Sequence, residues 1–291
     1  MKTAADEGRP KAPFYFRFPH WIILAVLSFV LLGPYPLYAG ILVISVLVVC
    51  TSVLRKQCFA RITEDFTPEY NEVCHEDKVE HFKSLAGVES SDEGLKKMGK
   101  FRLLDLGCGA GANLMYYPDN AVVIAVDYNP SMETFFRARL KRLEMEPQLE
   151  RFLVTSALDL KDIESGSVDV VSTCMLLNYL EDYDLFFAEV LRVLAPGGKY
   201  YFWEHVLDPN PRSLLRASQW FLEPIVTRCA DGAHLIKETA IEFESRRHLF
   251  QDLSLRHFYI YPHAHMSAAT KFFVWFLQSA NICGVALKNM R

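Results

Sequence analysis

The feature that most constrains this chain is a glycine-rich turn directly after an apolar run, in the stretch FRLLDLGCGAG at residues 101–111. The run ends at Asp105, and three glycines follow at alternate positions: Gly107, Gly109 and Gly111. Glycine is needed where the backbone adopts a positive φ or approaches a ligand closely. The pattern predicts a β-strand that enters a tight turn. A helix from about Ala112 would then add the positive end of its dipole to the turn.

A second apolar run, AVVIAV at residues 121–126, predicts a neighbouring buried strand. This run ends at Asp127, twenty positions after Gly107. In nucleotide-binding α/β folds, a carboxylate at the tip of the second strand accepts hydrogen bonds from a ribose diol. The glycine turn by itself would also fit a nicotinamide-binding fold.

Four stretches resemble, in order, the successive signatures of class I S-adenosylmethionine-dependent methyltransferases: LDLGCGAGAN (104–113), VVIAVDYNP (122–130), GSVDVVSTCMLL (166–177) and VLRVLAPGGKYYFWEH (190–205). Asp105 separates this turn from dinucleotide-binding turns, which rarely carry an acid there. The resemblance implies an α/β fold with a Rossmann-like seven-stranded sheet, helices on both faces, and S-adenosyl-L-methionine as cofactor. Asp105 would reach the cofactor's amino group directly or through water, or would only cap the next helix.

The same resemblance assigns cofactor contacts along the chain. The adenine would meet the Ser156 side chain and the backbone of Ala157 or Leu158, with Asp159 as the alternative side chain. Cys174 and Met175 would face the methionine part of the cofactor or pack under the following loop. The expected cofactor-binding residues are Asp105, Gly107, Cys108, Gly109, Gly111, Asn113, Asp127, Tyr128, Asn129, Ser156, Ala157, Leu158, Cys174 and Met175.

The motif FWEHV at 202–206, with Asp231-Gly232 and Pro262-His263, resembles the methyltransferase-like protein 7 group of membrane-anchored alkyl thiol methyltransferases. One departure is Asn178, where that group is expected to carry cysteine. The resemblance implies methylation of the sulfur of small lipophilic thiols. The alternatives are quinone or other lipid C- or O-methylation, and a non-catalytic cofactor-binding membrane assembly factor. The catalytic candidates are His205, first to take the thiol proton, then Glu204, Asp231 and His263, each of which could instead make a structural hydrogen bond.

The N-terminus predicts a membrane anchor over residues 1–60, followed by the methyltransferase domain over 61–291. No charged side chain occurs from Phe18 to Leu54, and Gly33-Pro34-Tyr35-Pro36 divides this stretch into two apolar runs. The first run is shorter than the roughly 20 residues a helix needs to cross a bilayer. Basic residues flank both sides, which favours two cytoplasmic ends and a helical hairpin. A single span and a cleaved signal peptide are the alternatives.

Composition restricts the partners. The net charge is −4 and the pI about 6.2, which excludes a basic footprint for nucleic acid. The nine histidines and seven cysteines show no zinc-ligand spacing, so no metal site is predicted. We expect a monomer that binds a small-molecule acceptor and membrane lipid. The basic flanks favour a cytoplasm-facing catalytic domain, and the resemblance implies the endoplasmic reticulum or a lipid droplet as its location.

Periodicity and turn residues predict the remaining elements. A helix between Arg61 and Lys100 would pack on the sheet edge through Val79, Phe82 and Leu85. An irregular apolar insertion between Val206 and Glu242 would roof the acceptor pocket. The other expected elements are a helix from 129 to about 143, strands at 150–160 and 166–180, a helix at 186–194, a strand at 199–206, two antiparallel strands at 254–261 and 269–277, and an extra tail at 278–291.

Overall fold

The computed structural model describes residues Ser52–Met290, so the predicted N-terminal hairpin lies outside the described residues. These residues belong to one compact unit that begins at Ser52. Between Ser52 and Met290, no helix is both long enough and apolar enough to span a bilayer.

Seven β-strands form one mixed sheet in the order β3-β2-β1-β4-β5-β7-β6. The strands are β1 Phe101–Leu106, β2 Ala121–Asp127, β3 Leu149–Val154, β4 Val168–Cys174, β5 Leu194–His205, β6 Asp252–Tyr259 and β7 Ala280–Leu287. The first five strands are parallel, and β7 is antiparallel to both β5 and β6. Parallel strands are buried on both faces, which explains their continuous apolar runs. The sheet confirms the predicted Rossmann-like class I architecture.

The main helices are α1 Ser52–Phe82, α2 Glu93–Lys97, α3 Met132–Arg142, α4 Tyr183–Val193, α5 Leu214–Cys229, α6 Thr239–Ser245 and α7 Ala268–Phe273, and α7 continues as the π-helix Val274–Gln278. Two predictions need correction. The helix expected from Ala112 is only the 3₁₀ turn Leu114–Tyr116, because Pro118 favours extended backbone at Tyr117, which has ψ 135°. The insertion expected to be irregular contains α5, which is capped by Ser213 Oγ accepting the Arg216 N–H.

The last strand is also corrected. Residues 268–278 are helical, because Ser267 Oγ caps the first turn by accepting the Thr270 N–H at 3.1 Å. The strand lies instead in the expected tail, as β7. A Cβ at Gly284 would lie 1.9 Å from the Ser254 carbonyl oxygen and 2.5 Å from Phe202 Cζ. Glycine at this position therefore lets β7 fit between its neighbours.

Helix α1 packs over the sheet and not on its edge. Trp203 on the interior strand β5 donates from Nε1 to Tyr70 Oη at 3.0 Å. Phe82 is buried and stacks on Tyr201, with 6.2 Å between ring centroids. Val79, one of the expected packing positions, is 47% exposed. This placement brings α1 to the carboxyl ends of the parallel strands.

Candidate active site

A cavity of about 930 Å³ lies at the carboxyl ends of the first four strands. We call its strand-end lining the floor: Gly107, Cys108, Gly109, Asn113, Asp127, Tyr128, Thr155, Ser156, Ala157, Leu158, Cys174, Met175 and Leu176. Three other segments form what we call the cover. They are residues 59–70 of α1 (Phe59, Ile62, Thr63, Phe66, Tyr70), residues 226–235 (Val226, Ala230, Asp231, Gly232, Ala233, His234, Leu235) and residues 267–278 (Ser267, Thr270, Gln278). The turn at 178–181 lies between floor and cover.

The glycine turn leaves open space at one position. Gly109 has φ +51°, and the nearest atom to a Cβ there would be Thr63 Cγ2 at 4.0 Å. A Cβ at Gly111 would instead lie 2.6 Å from Leu114 Cδ1. Gly111 is therefore a packing residue below the cavity, and the structure does not support its predicted contact with the cofactor. Gly109 offers the space for a ligand to approach the backbone.

Asp127 lies on the floor and is almost fully buried. Its Oδ2 accepts the Gly109 N–H at 2.9 Å, and its Oδ1 accepts the Asn129 N–H at 2.8 Å. Burial raises the pKa of this carboxyl to about 6. Each carboxylate oxygen keeps a second lone pair, so the pair can still accept two hydroxyl donors. This arrangement fits a ribose diol.

Two other predicted cofactor ligands do not line the cavity. Asn129 is fully buried, and its Nδ2 donates to the Lys56 carbonyl oxygen at 3.0 Å. Asp105 lies beneath the floor, where burial raises its pKa to about 7. Its Oδ2 has no hydrogen-bond partner within the described part of the chain. Direct contact of either side chain with the cofactor is thus not supported by the geometry.

The exit of β3 separates the two candidates for the adenine contact. Ser156, Ala157 and Leu158 line the cavity, and Ser156 Oγ accepts the Leu158 N–H at 3.1 Å. Asp159 points to solvent and pairs with Lys161 Nζ at 3.1 Å. The structure therefore places Ser156, and not Asp159, in a position to contact an adenine ring in the cavity.

The carboxyl end of β4 supplies the two residues expected near the methionine part. Cys174 and Met175 both line the cavity, and burial raises the pKa of the Cys174 thiol. Met175 has φ +56°, which is uncommon for a residue with a side chain. Its N–H donates to the Trp203 carbonyl oxygen at 2.9 Å. Of the fourteen predicted cofactor residues, all except Asp105, Gly111 and Asn129 line the cavity.

His205, the first candidate for the thiol base, is sealed within the fold. It pairs with Asn281 inside the sheet and is 0% exposed. Its Nε2 lies 2.6 Å from the Leu277 carbonyl oxygen, and burial lowers its pKa to about 4. A general base must come within hydrogen-bond reach of the proton it takes. The structure does not bring His205 to the cavity.

The other catalytic candidates divide between cavity and surroundings. Glu204 is fully buried outside the lining, where it accepts Thr173 Oγ1–H at 2.7 Å and the Leu177 N–H at 3.0 Å. Burial raises its pKa to about 8. His263 lies on an exposed loop outside the lining. Only Asp231 lines the cavity, where it accepts hydrogen bonds from Arg55 Nε at 3.2 Å and from Tyr128 Oη.

The predicted insertion over residues 206–242 supplies the cover segment 226–235, but sequence reasoning did not identify the other two segments of the cover. It assigned no ligand role to α1, although Thr63 approaches Gly109 and Tyr70 lines the cavity. It also missed His234, which lines the cavity with its Nδ1 2.6 Å from Glu223 Oε1. The available signal was its position two residues after Asp231-Gly232, a pair the sequence had already singled out.

Comparisons with known proteins agree with this geometry. The family described as "Methyltransferase domain" matches residues 104–202. The human protein "Thiol S-methyltransferase TMT1B" is 34% identical over 196 residues, which are 67% of this chain and 77% of that protein. Human "Thiol S-methyltransferase TMT1A" is 33% identical over 212 residues, or 71% and 80% of the two chains.

This chain belongs to the TMT1A/TMT1B family of class I methyltransferases. It is an S-adenosylmethionine-dependent enzyme. Its fold also resembles a solved Haemonchus contortus phosphoethanolamine N-methyltransferase 2 in complex with phosphomonomethylethanolamine and S-adenosylhomocysteine. That match has a TM-score of 0.54 and 15% identity, and covers 78% of this chain and 58% of the other. In this TMT1-family chain, Asp127, the open space at Gly109 and the Ser156–Leu158 exit fit the parts of S-adenosylmethionine.

Proposed function

We propose that this chain methylates the sulfur of small lipophilic thiols. The family relationship supports the reaction, since two human relatives are named thiol S-methyltransferases. The observation that carries the proposal is the single continuous cavity between floor and cover. Small-molecule sites occupy about 300–1,000 Å³. At about 930 Å³, this cavity has room for the cofactor and a small acceptor together.

The lining suits the chemistry. Bound S-adenosylmethionine supplies an electrophilic methyl group on a positively charged sulfur. The protein must orient the acceptor opposite that methyl group and exclude water. Phe59, Ile62 and Leu235 present apolar surface on the cover. A thiolate and a sulfonium become neutral products, so charge decreases during the reaction and a poorly hydrated cavity favours it.

A labelled-cofactor assay tests the proposal. The purified full chain is incubated with methyl-labelled S-adenosylmethionine and either small alkyl thiols, aryl thiols or quinols of similar size. We expect the label on sulfur, identified by mass spectrometry as the thioether. Methylation of quinols or fatty acids without any thiol product would replace the thiol class. Cofactor binding without any turnover would instead favour the assembly-factor alternative.

We also propose that the enzyme works at a membrane surface. The charge-free stretch from Phe18 to Leu54 supports this proposal. A second support is an exposed apolar surface formed by α5 and the π-helix. These two helices are linked by a hydrogen bond in which Ser218 Oγ donates to the Phe276 carbonyl oxygen at 2.7 Å. Trp220 is 55%, Phe221 79% and Trp275 62% exposed there. Tryptophan and phenylalanine are typical of surfaces that bind a lipid interface.

Vesicle flotation and microscopy test the location. The full chain should float with lipid vesicles, and a chain beginning at Ser52 should float more weakly. Retention of the shortened chain would assign the binding to the exposed apolar surface. Failure of both chains to float would contradict membrane association. A fluorescently tagged full chain should label the endoplasmic reticulum or lipid droplets.

A further inference from the structure

His234 on the cover forms a carboxylate–histidine pair with Glu223 of α5. Glu223 Oε1 lies 2.6 Å from His234 Nδ1, and Glu223 Oε2 accepts the Leu235 N–H at 2.6 Å. Both carboxylate oxygens are therefore engaged with the segment that carries the histidine. The Glu223 side chain is 13% exposed, whereas the His234 side chain is 34% exposed. The glutamate is held in place and the imidazole remains accessible.

The backbone fixes the pair beside the floor. The His234 N–H donates to the Asn178 carbonyl oxygen at 3.0 Å, in the turn that follows β4. Asn178 and Tyr179 of that turn line the same cavity. Ligands of parallel α/β sheets bind at the carboxyl ends of the strands. Among the described histidines, His234 is the one that lines the cavity.

The hydrogen bond to Glu223 determines what the imidazole can do. A carboxylate at Nδ1 favours the tautomer in which Nδ1 carries the proton, which leaves the Nε2 lone pair free to accept one. In the described range, no protein group forms a hydrogen bond with His234 Nε2. His205 differs in both respects, since it is fully buried and its Nε2 is occupied by the Leu277 carbonyl oxygen.

We propose that His234, oriented by Glu223, is the general base that deprotonates the thiol acceptor. The proposal rests on the thiol function proposed above. The S–H bond breaks and its proton moves to His234 Nε2. The freed electron pair on sulfur forms the new S–C bond as the methyl group leaves S-adenosylmethionine, which becomes S-adenosylhomocysteine. The proton then returns from Nε2 to solvent. Glu223 stabilises the protonated imidazole through Nδ1 and does not itself touch the acceptor.

A series of thiols with different acidity tests this role at one fixed neutral pH. His234→Asn keeps a polar side chain but cannot hold the proton. It should lower turnover of alkyl thiols by about 10²–10⁴-fold, the usual range for a positioned base. Turnover of acidic aryl thiols, which are already ionised at this pH, should fall far less. Glu223→Gln should show the same selectivity with a smaller loss. The control is His265→Ala, because His265 is an exposed histidine outside the cavity lining.

A second readout is independent of turnover. Ring ¹⁵N chemical shifts of the cofactor-free full chain should show the Nδ1–H tautomer for His234, and Glu223→Gln should reduce its population. The Nε2–H tautomer in the wild-type protein would overturn the assignment. Equal losses for all thiols, or no loss for any, would also overturn the base while leaving thiol methylation intact. If the wild-type enzyme methylates no thiol, both proposals are wrong.

Discussion

The floor and the cover of the cavity are built in different ways. Each part of the floor directly follows a strand of the parallel half-sheet, within the residues matched by the methyltransferase family. The cover joins segments that are distant along the chain, and the ion pair between Arg55 and Asp231 links residues 176 positions apart. Cofactor recognition is therefore encoded in short local motifs. We expect acceptor selection to depend on the tertiary packing of the cover, so it can change while the floor stays the same.

The largest expected effect is at the floor. Gly109→Val places a branched side chain in the open space at φ +51° and should weaken S-adenosylmethionine binding by at least about 100-fold, or 2.7 kcal/mol. Gly166→Val is the matched control, because Gly166 has φ +68°, open space around its Cβ position and no place in the lining. Calorimetry should show loss of binding only in the first variant. Equal affinity in both would contradict the assigned floor.

Asp127 should give the next largest effect. Asp127→Ala removes the acceptor for the ribose diol and should weaken cofactor binding by about 1–3 kcal/mol. Asp159→Ala, which removes an exposed carboxylate beyond the cavity, should bind the cofactor normally. Unchanged calorimetric affinity after the Asp127 substitution would show that the ribose is held elsewhere.

A substitution on the cover should change the KM for the acceptor and not the affinity for the cofactor. Val226→Trp adds volume inside the cavity and should raise the KM for a bulky thiol roughly tenfold. Its affinity for S-adenosylhomocysteine should change little. Ile225→Trp is the control, because Ile225 precedes Val226 on α5 and is 57% exposed. If Val226→Trp instead abolishes cofactor binding, the division between floor and cover is wrong at this position.

The smallest expected effect is a pH dependence of stability. Burial raises the pKa values of Glu204, Asp105 and Asp127 to about 8, 7 and 6. The native state thus binds these protons more tightly than the unfolded state. Their stabilising effect is complete below about pH 4, where such carboxyls titrate in an unfolded chain, and it is lost as the pH rises from there to the folded-state pKa values of about 6, 7 and 8.

Thermal unfolding between pH 5.5 and 8.5 measures this effect. The contribution of these groups should make the Tm fall with rising pH, by about 2–4 °C for each kcal/mol lost. Glu204→Gln should flatten the slope, whereas Asp159→Asn at the surface should not. If Glu204→Gln leaves the slope of Tm against pH unchanged, the raised pKa of the Glu204 carboxyl is contradicted.

The strands whose ends form the floor could be predicted from the sequence because their signals are local. Asp127 and Ser156 each follow an apolar strand at a spacing that a single chain reveals. The sequence did not predict that His205 is buried within the sheet. The prediction placed the last strand at residues 269–277 and therefore did not include β7. Strand β7 pairs with β5 as far as His205, the last residue of β5. The helical segment that replaces the predicted strand places Leu277 against the histidine. The pairing of His234 could not be predicted without α5, because its partner Glu223 lies on that helix.

The most direct test of the account is a crystal structure of the full chain with S-adenosylhomocysteine. We expect the ribose hydroxyls within about 2.6–3.2 Å of the Asp127 carboxylate oxygens. The adenine should lie against Ser156–Leu158 and the sulfur near Cys174 and Met175, leaving the rest of the cavity free beside His234. A nucleoside bound outside this cavity, or one whose ribose makes no contact with Asp127, would contradict the account.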